Sequence, residues 1–281
     1  MTQTLRHGDH GLSVRQLQNQ LNSYGATLYP DADFGDATEN AVRAYQLKVG
    51  LVADGVAGPK TQAALAGADC RLLLSNATLV AAAKRLGVEL AAVYAVNEVE
   101  SLGEGFLGNG KPKILYERHV MHRLLATPRN LGDDATLRLA HADQLATQYP
   151  HLVNTRPGGY AGGTAEHQRL AGARQLDATS APEACSWGAF QVMGYHWQLL
   201  GYASIDDFTT RMATSEAEHF EAFVRFIEAD PALHKALKGK KWAQFSKLYN
   251  GPAYARNLYD VKLDRAYQRH AVCHCAQQVA A

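Results

Sequence analysis

Apolar residues recur at helical spacing along most of this chain of 281 residues. After Asn76 the apolar positions share one face of a predicted helix, and Gly87 is placed to end it. A second helix is predicted over about Leu90–Glu100, and the same period returns in residues 14–21, 217–227, 242–249 and 260–272. Few stretches alternate apolar and polar residues, so a sizeable sheet is not expected. The pattern predicts a mostly α fold.

Two short segments near the N-terminus share one pattern, 23 residues apart. Residues 31–42 and 54–65 carry Asp, Gly, Thr, Ala and an aliphatic residue at matching offsets. Each segment is typical of an Asp/Gly turn, then a Thr that caps or opens a helix, then an apolar helix face. With the apolar helix of residues 14–21 before it, this repeat resembles the type 1 peptidoglycan-binding domain, a compact three-helix module. The resemblance covers roughly residues 5–66 and implies that the chain binds peptidoglycan.

A short linker separates this module from the rest of the chain. Residues 66–70 are small and polar, so we assign residues 1–68 to a peptidoglycan-binding domain and residues 72–281 to a larger helical domain. Within the larger domain, residues 128–180 are polar and rich in Gly, and residues 154–163 are predicted to be its loosest part.

The charge pattern and the N-terminal residues bear on the expected partners and location of the protein. The net charge is +1, which gives no reason to expect nucleic acid as a partner. Residues 238–269 are locally basic, which fits either a solvated helix face or attraction to an anionic wall or outer-membrane surface. The N-terminus lacks the apolar stretch of a secretory signal, and no membrane-spanning stretch is evident. We therefore expect the protein to stay in the cytoplasm where it is made until another factor releases it.

The four cysteines do not predict a disulfide framework, because their spacing is irregular and a chain of this size does not need one. The tail carries Cys273, His274 and Cys275, which could ligate a soft metal or belong to a frayed terminus. His119 and His122 share a helix face but lack a third ligand, so a zinc enzyme is not expected. We expect neither a metal nor a cofactor.

Three separated segments of the larger domain carry groups suited to glycoside chemistry. Glu100 ends an apolar helix and is followed by Ser101, so it can sit half-buried and protonated as a general acid. Residues 186–193 place a Gly between bulky aromatics, which lets backbone approach a ligand, and Gln191 offers both a donor and an acceptor. Residues 248–252 form a turn that presents Tyr249 and Asn250.

Taken in order, these segments resemble the lysozyme-like superfamily, and most closely the N-acetylmuramidase domain of modular phage endolysins. The matching motifs are residues 98–101, 112–119, 186–188 and 249–252. The resemblance covers nearly the whole larger domain and implies a lysozyme-like helical fold. It implies that Glu100 and Glu117 line the catalytic centre, and that substrate is bound by Ser186, Gln191, Tyr249 and Asn250.

Two alternatives concern the carboxylates. Glu98 and Glu100 lie about 200° apart on a helix, so only one can face a cleft, and Glu100 continues the apolar stripe. Glu117 is either a buried partner of Arg118 or of a backbone group, or the base that orients water for an inverting hydrolase.

Trp187, Tyr195 and Trp197 could stack on sugars or fill the core. Ser186 lacks the flanks of a nucleophile elbow and is expected to bond backbone locally.

The expected function is that of a bacteriolytic endolysin, a monomer that binds peptidoglycan and hydrolyses the bond between N-acetylmuramic acid and N-acetylglucosamine. It would wait in the host cytoplasm until a holin opens the membrane. One alternative is a lytic transglycosylase, which needs only one Glu and releases anhydro-muramoyl products. The other is a non-catalytic wall-binding protein, against which the intact motifs argue.

Overall fold

The computed structural model describes residues 3–101, 103–252 and 254–272. The chain is mostly helical, with 56% helix and little sheet, which confirms the predicted fold class. The N-terminal elements in chain order are α1 (Leu12–Ser23), α2 (Asp36–Lys48), α3 (Pro59–Leu65), α4 (Asn76–Leu86) and α5 (Leu90–Glu100). Next come β1 (Ile114–Tyr116), α6 (Arg118–Ala126), α7 (Ala135–Gln148), α8 (Ala165–Arg174), α9 (Ser180–Glu183), β2 (Cys185–Trp187) and β3 (Val192–Met193). The last are α10 (Ile205–Met212), α11 (Glu216–Ala229), α12 (Pro231–Lys238), α13 (Trp242–Asn250) and α14 (Tyr259–Val272).

The chain forms two compact units. Unit 1 combines the chain up to Val99 with the chain from Ala232 onward, and unit 2 is Glu100–Pro231. The helix predicted from Asn76 begins there, because the Ser75 hydroxyl accepts from the Thr78 amide, and it ends at Gly87 with a φ of 61°. Within the described ranges, no helix has the length and apolar character needed to span a membrane.

Unit 1 contains the predicted three-helix module, built from α1, α2 and α3. Its core consists of the apolar faces of these helices and the segments between them: Leu5, Val14, Leu17, Leu21, Phe34, Val42, Tyr45, Leu51, Ala57, Ala64 and Leu65. A bridge between Leu5 and Ala57 joins the start of the chain to the turn before α3. Because one apolar cluster serves all three helices, the module has a core of its own.

The sequence repeat corresponds to two equivalent hydrogen-bond networks. In the first turn network, the buried amide of Gln18 donates to the Asp31 carboxylate at 2.8 Å, to a backbone carbonyl and to a Thr hydroxyl, and it accepts from a backbone amide. In the second turn network, the buried amide of Gln46 makes the same four kinds of bond, with the Asp54 carboxylate at 2.7 Å. The first network comprises Gln18, Asp31, Ala32, Asp33 and Thr38, and the second comprises Gln46, Asp54, Gly55, Val56 and Thr61.

The two repeated Thr residues do not cap their helices, contrary to one of the alternatives that the sequence suggested. The cap positions of α2 and α3 are Gly35 and Gly58, and Thr38 and Thr61 are the third residues of their helices. Each Thr hydroxyl accepts a hydrogen bond from its Gln side-chain amide and donates one to a backbone carbonyl of the turn. The Thr therefore ties the turn to its helix from inside.

Unit 2 contains a small antiparallel sheet among its helices. β2 is the central strand, with Leu115 of β1 opposite Ser186 and Ser186 opposite Met193 of β3. β1 leads directly into Glu117, which is the cap residue of α6. The sheet therefore brings the hairpin of residues 186–193 alongside the strand that carries Glu117.

Candidate active site

Glu100 is the last residue of α5, and its side chain is only 7% exposed. Val93 and Val96 on the same helix are also buried, so Glu100 continues the apolar stripe as the sequence predicted. Beyond it, the Gly103 amide donates to the Ser101 hydroxyl at 3.2 Å, and Gly103 has a φ of 81°. The carboxyl group thus lies at a sharp change of chain direction and is shielded from bulk water.

Glu98 is committed to a different role. Its carboxylate forms an ion pair with the Arg269 guanidinium and lies 3.0 Å from Nε2 of His270, both on α14. Burial raises the pKa of Glu98, but the hydrogen bonds and positive charge of His270 and Arg269 outweigh it, so the net pKa is lowered. An ionised, paired carboxylate is a poor proton donor, which leaves Glu100 as the stronger candidate for the acid.

Glu117 is held at the junction of β1 and α6. Its backbone amide donates to the Ala184 carbonyl at 2.9 Å, and its side chain is 16% exposed. The Tyr160 hydroxyl donates to its carboxylate, with distances of 2.9 Å to Oε2 and 3.2 Å to Oε1. Nδ1 of His119 lies 3.1 Å from Oε2. The carboxylate is therefore oriented yet remains accessible to water.

Arg118, the cation considered as a partner for Glu117, points elsewhere. Its guanidinium donates to the backbone carbonyls of Pro150, Arg156 and Pro157 at 3.0 to 3.2 Å. Arg118 therefore fastens the loop that precedes Tyr160. It acts on Glu117 only indirectly, through the course of that loop.

Tyr160 and Glu166 were not found by sequence reasoning, although they organise this part of the site. Glu166 is fully buried and accepts from the amides of Tyr116, Ala161 and Gly162 at 3.1, 2.6 and 2.9 Å. Burial raises the pKa of Glu166, but these amides and Arg169 lower it further, so the group is ionised. It pins to β1 the loop that was predicted to be loosest. An acidic residue in the first turn of a helix is common, so nothing in the sequence marks this one as a clamp.

Ser186 and Gln191 belong to one hairpin. The Ser186 hydroxyl donates to Oε1 of Gln191 at 2.7 Å, and Nε2 of Gln191 donates to the Gly188 carbonyl at 2.8 Å. Gln191 has a φ of 50° and Gly188 a φ of 71°, so both adopt left-handed backbone that reverses the chain tightly. Ser186 thus bonds locally, but its hydroxyl donates to a side chain and not to backbone as predicted.

Tyr249 and Asn250 are the final residues of α13, in unit 1. The Tyr249 ring stacks on Phe245 with centroids 6.0 Å apart. Gly251 follows with a φ of 78°, so the chain turns directly after Asn250. Their role in substrate binding stays a prediction.

Of the three aromatic candidates, Trp187 is buried, whereas Tyr195 and Trp197 are partly exposed. Trp187 is buried, and its indole donates to the Pro182 carbonyl at 3.0 Å. The Trp197 indole donates to the Glu183 carboxylate at 2.9 Å, and the Tyr195 ring lies under the Arg123 guanidinium. At least Trp187 is therefore a core residue.

The His and Cys candidates for metal binding remain without support. Nε2 of His122 lies 2.8 Å from the Asp143 carboxylate, so this His is used in a pair between α6 and α7. Cys273, His274 and Cys275 lie outside the described residues. Among the residues that are described, no group of three or more potential ligands lies close enough together to hold a metal ion.

Family comparisons agree with both halves of this description. Residues 89–271 match the N-acetylmuramidase family, and residues 10–65 match the peptidoglycan-binding domain family. The module is also 49% identical over 61 residues to a zinc D-Ala-D-Ala carboxypeptidase of Streptomyces albus G, covering 21% of this chain and 24% of that protein. The chain spans about a quarter of that relative, so this likeness concerns the module alone.

A solved structure matches the whole chain. The crystal structure of Burkholderia AP3 phage endolysin is similar with a TM-score of 0.87 and 54% identity, covering 96% of this chain and 100% of that one. The family predicted from the motifs is thus confirmed, including its class of enzyme. The chain, which is similar in structure to a phage endolysin, belongs to the N-acetylmuramidase family of glycoside hydrolases and carries an N-terminal peptidoglycan-binding domain.

Proposed function

We propose that this endolysin cuts peptidoglycan between N-acetylmuramic acid and N-acetylglucosamine, with Glu100 as general acid. The observation that carries this assignment is the contrast between two neighbouring carboxylates on α5. Glu100 is buried at the helix end, whereas Glu98 is ionised and paired with α14. A sugar alkoxide leaves poorly without a proton, so the reaction needs a donor that is shielded from water.

We propose that Glu117 orients or deprotonates the attacking water. A group that positions water must itself be held in place, and the Tyr160 hydroxyl donates to the Glu117 carboxylate at 2.9 Å. Burial, followed by the adjacent Glu117, raises the pKa of Tyr160, so the phenol stays protonated and remains a donor. This support favours hydrolysis over transglycosylation, which requires no activated water.

The acid is tested by two matched substitutions. Glu100→Gln is nearly isosteric and removes the proton donor, so lysis of peptidoglycan should fall by about 10²–10⁴-fold. Glu98→Gln breaks only the pair with α14 and should lower stability more than turnover. A dead Glu98→Gln enzyme beside an active Glu100→Gln enzyme would reverse the assignment.

Product analysis tests the reaction type. Mass spectrometry of digested peptidoglycan should show reducing muramic acid ends. Anhydro ends throughout would instead establish a lytic transglycosylase. Glu117→Ala adds a second line of evidence: loss of hydrolysis with a modest change in Tm supports the base. An active but clearly destabilised variant would return Glu117 to a structural role.

We propose residues 1–68 as the wall-binding part and residues 72–281 as the cutting part. Binding holds the enzyme on its insoluble substrate and raises the local substrate concentration. Fragment 1–68 should sediment with purified wall without cutting it, and fragment 72–281 should cut with lower efficiency. Failure of fragment 1–68 to sediment would overturn this division.

The likeness to a phage endolysin supports a proposal about the biological setting. We propose that the protein is a monomer that waits in the host cytoplasm and reaches the wall after a holin opens the membrane. Induced expression should therefore lyse cells only when the membrane is permeabilised. Lysis without permeabilisation would contradict this proposal, and size-exclusion chromatography tests the monomer.

A further inference from the structure

The His219 imidazole, on α11, is 1% exposed and uses both of its nitrogens inside the protein. Nε2 lies 2.7 Å from the Met212 carbonyl, and Nδ1 accepts from the Ala189 amide at 3.2 Å. An amide can only donate and a carbonyl can only accept, so the ring is neutral with its proton on Nε2. Ala189 is part of the hairpin that carries Ser186 and Gln191, so His219 holds this hairpin directly.

Two glycines lie directly against this ring, one from each of two separate segments. A Cβ atom on Gly188, in the hairpin, would lie 2.4 Å from Cγ of His219. A Cβ atom on Gly105, in the segment that follows Glu100, would lie 2.5 Å from Nδ1. The Phe106 ring stacks on the imidazole with centroids 5.0 Å apart. No larger residue fits at either glycine without moving His219.

Both glycine segments are also hydrogen-bonded to Lys113, the residue before the strand that leads to Glu117. The Lys113 amide donates to the Gly105 carbonyl, and the Lys113 carbonyl accepts from the Gly188 amide, both at 2.8 Å. Lys113 immediately precedes β1, which ends just before Glu117. The Gly105 amide is held in turn by the buried Glu216 carboxylate at 2.8 Å. Three segments with proposed catalytic or binding residues therefore contact one another, and two of them contact α11 directly.

We infer that His219 is a positioning residue for glycan cleavage, which fixes the Ser186–Gln191 hairpin relative to the segment after Glu100. Because it is buried, it acts without touching the substrate. This role rests on the proposed function and on the prediction from the family resemblance that Ser186 and Gln191 bind the glycan. Active-site groups must be held within fractions of an ångström, so releasing the Ala189 amide should weaken substrate binding.

Two substitutions separate the two nitrogens of the ring. His219→Asn keeps an acceptor near the place of Nδ1 and loses the donor to Met212. His219→Gln keeps a donor near the place of Nε2 and loses the acceptor for Ala189. We expect His219→Gln to raise KM for soluble glycan strands on the order of tenfold, while His219→Asn stays within about threefold of wild type. Both remove the ring, so their Tm values should fall by similar amounts.

A control variant shows what loss of a His–carbonyl bond does elsewhere. Nε2 of His234 lies 2.7 Å from the Leu86 carbonyl in unit 1. His234→Gln and His234→Asn should differ little in KM. Equal KM values for His219→Asn and His219→Gln would overturn the inference, because a purely structural role moves Tm in both and KM in neither.

Gln191→Ala separates failure of this inference from failure of the proposed function. A raised KM in Gln191→Ala with a wild-type KM in His219→Gln overturns the inference alone. A wild-type KM in both removes the hairpin from the substrate site and overturns the inference together with the predicted binding role of Ser186 and Gln191, whereas failure of the proposed function itself would appear as an active Glu100→Gln enzyme. If the His219 variants do not fold, Phe106→Leu provides the test: it removes the stacked ring and should raise KM by about threefold. A wild-type KM in that variant counts against the inference.

Discussion

The first and second turn networks have the same hydrogen bonds in different surroundings. Asp31 of the first network is exposed, whereas Gly55 of the second is buried and Asp54 is largely covered. Hydrogen bonding from Gln18 lowers the pKa of Asp31, whereas burial raises the pKa of Asp54. Repeated residues therefore reproduce a local geometry but not its electrostatic environment.

The second network is less exposed because residues of α4 and α5, also in unit 1, lie beside the segment that leads into it. The Asn76 side-chain oxygen accepts from the backbone amide of Ala53 at 3.3 Å, and the backbone amide of Asn76 donates to the Leu51 carbonyl at 3.2 Å. The Tyr94 hydroxyl donates to the same Asn76 oxygen. The start of α4 and the middle of α5 thus lie beside the segment that leads into the second network, whereas the Asp31 and Asp33 side chains of the first network are exposed.

The largest effect is expected from Gln46→Ala. This substitution leaves the Gly55 amide and the Asp54 carboxylate without their Gln partner in a place that water does not reach easily. We expect a loss of about 3–5 kcal/mol in the free energy of unfolding, against about 1–3 kcal/mol for Gln18→Ala, where the exposed Asp31 carboxylate can bond to water instead. Urea unfolding monitored by circular dichroism measures both. Equal losses would mean that burial of the second network has no energetic consequence.

Gly55→Ala should have the next largest effect. Gly55 has a φ of 77°, and an added Cβ would lie 2.8 Å from Arg43 and from Glu39. The Arg43–Glu39 ion pair would have to move, and Ala at positive φ is strained. We expect a loss of about 2–4 kcal/mol. Gly50→Ala is a control, because it has a φ of 78° with nothing within 4 Å of an added Cβ. A loss in Gly55→Ala no greater than in Gly50→Ala would show that the ion pair adapts freely.

Acid titration should separate the networks with opposite signs. Ionised Asp31 favours folding, and this contribution is lost as the pH falls through its lowered folded-state pKa. Folded Asp54, with its raised pKa, takes up a proton before the unfolded chain does, so stability is gained as the pH falls and lost as it rises. Between about pH 6 and pH 3, Asp31→Asn should therefore approach the wild-type Tm, and Asp54→Asn should fall relative to it. Parallel Tm curves for the two variants would contradict the assigned directions.

The module could be predicted well from the sequence because its information is local and repeated. The Gln, Asp and Thr residues of each network lie within about one helix and one turn of each other, so a fixed spacing encodes a fixed geometry. Two helices outside the module were predicted closely for the same reason: α5 and α13 begin where the apolar period begins. The position of Asn76 and Tyr94 beside the segment that precedes Asp54 was not predicted, because no repeat or period specifies it.

The organisation of the candidate site depends on contacts of long sequence separation. The Gly105 amide and the Glu216 carboxylate are 111 residues apart, and Ala189 and His219 are 30 apart. Motifs alone identify Glu100 and Glu117 as candidates. They do not identify His219 and Glu216, the buried residues that bond to Ala189 and Gly105, because a single His or Glu in a helix has no distinguishing neighbours in sequence.

The smallest effect, and the closest comparison of the two networks, comes from Ala32→Gly. Ala32 has a φ of 72° where the second network has Gly55, and both residues donate their amides to the Gln oxygen, at 3.0 and 2.9 Å. Left-handed backbone costs Ala about 1–2 kcal/mol, but Gly adds about 0.5–1 kcal/mol of freedom to the unfolded chain. The balance should stabilise the protein by about 0.5 kcal/mol, a rise of about 1 °C in Tm by calorimetry. A fall in Tm would mean that the first turn tolerates Ala without strain, and that Gly55 is required by its contact with Arg43 and not by its φ angle.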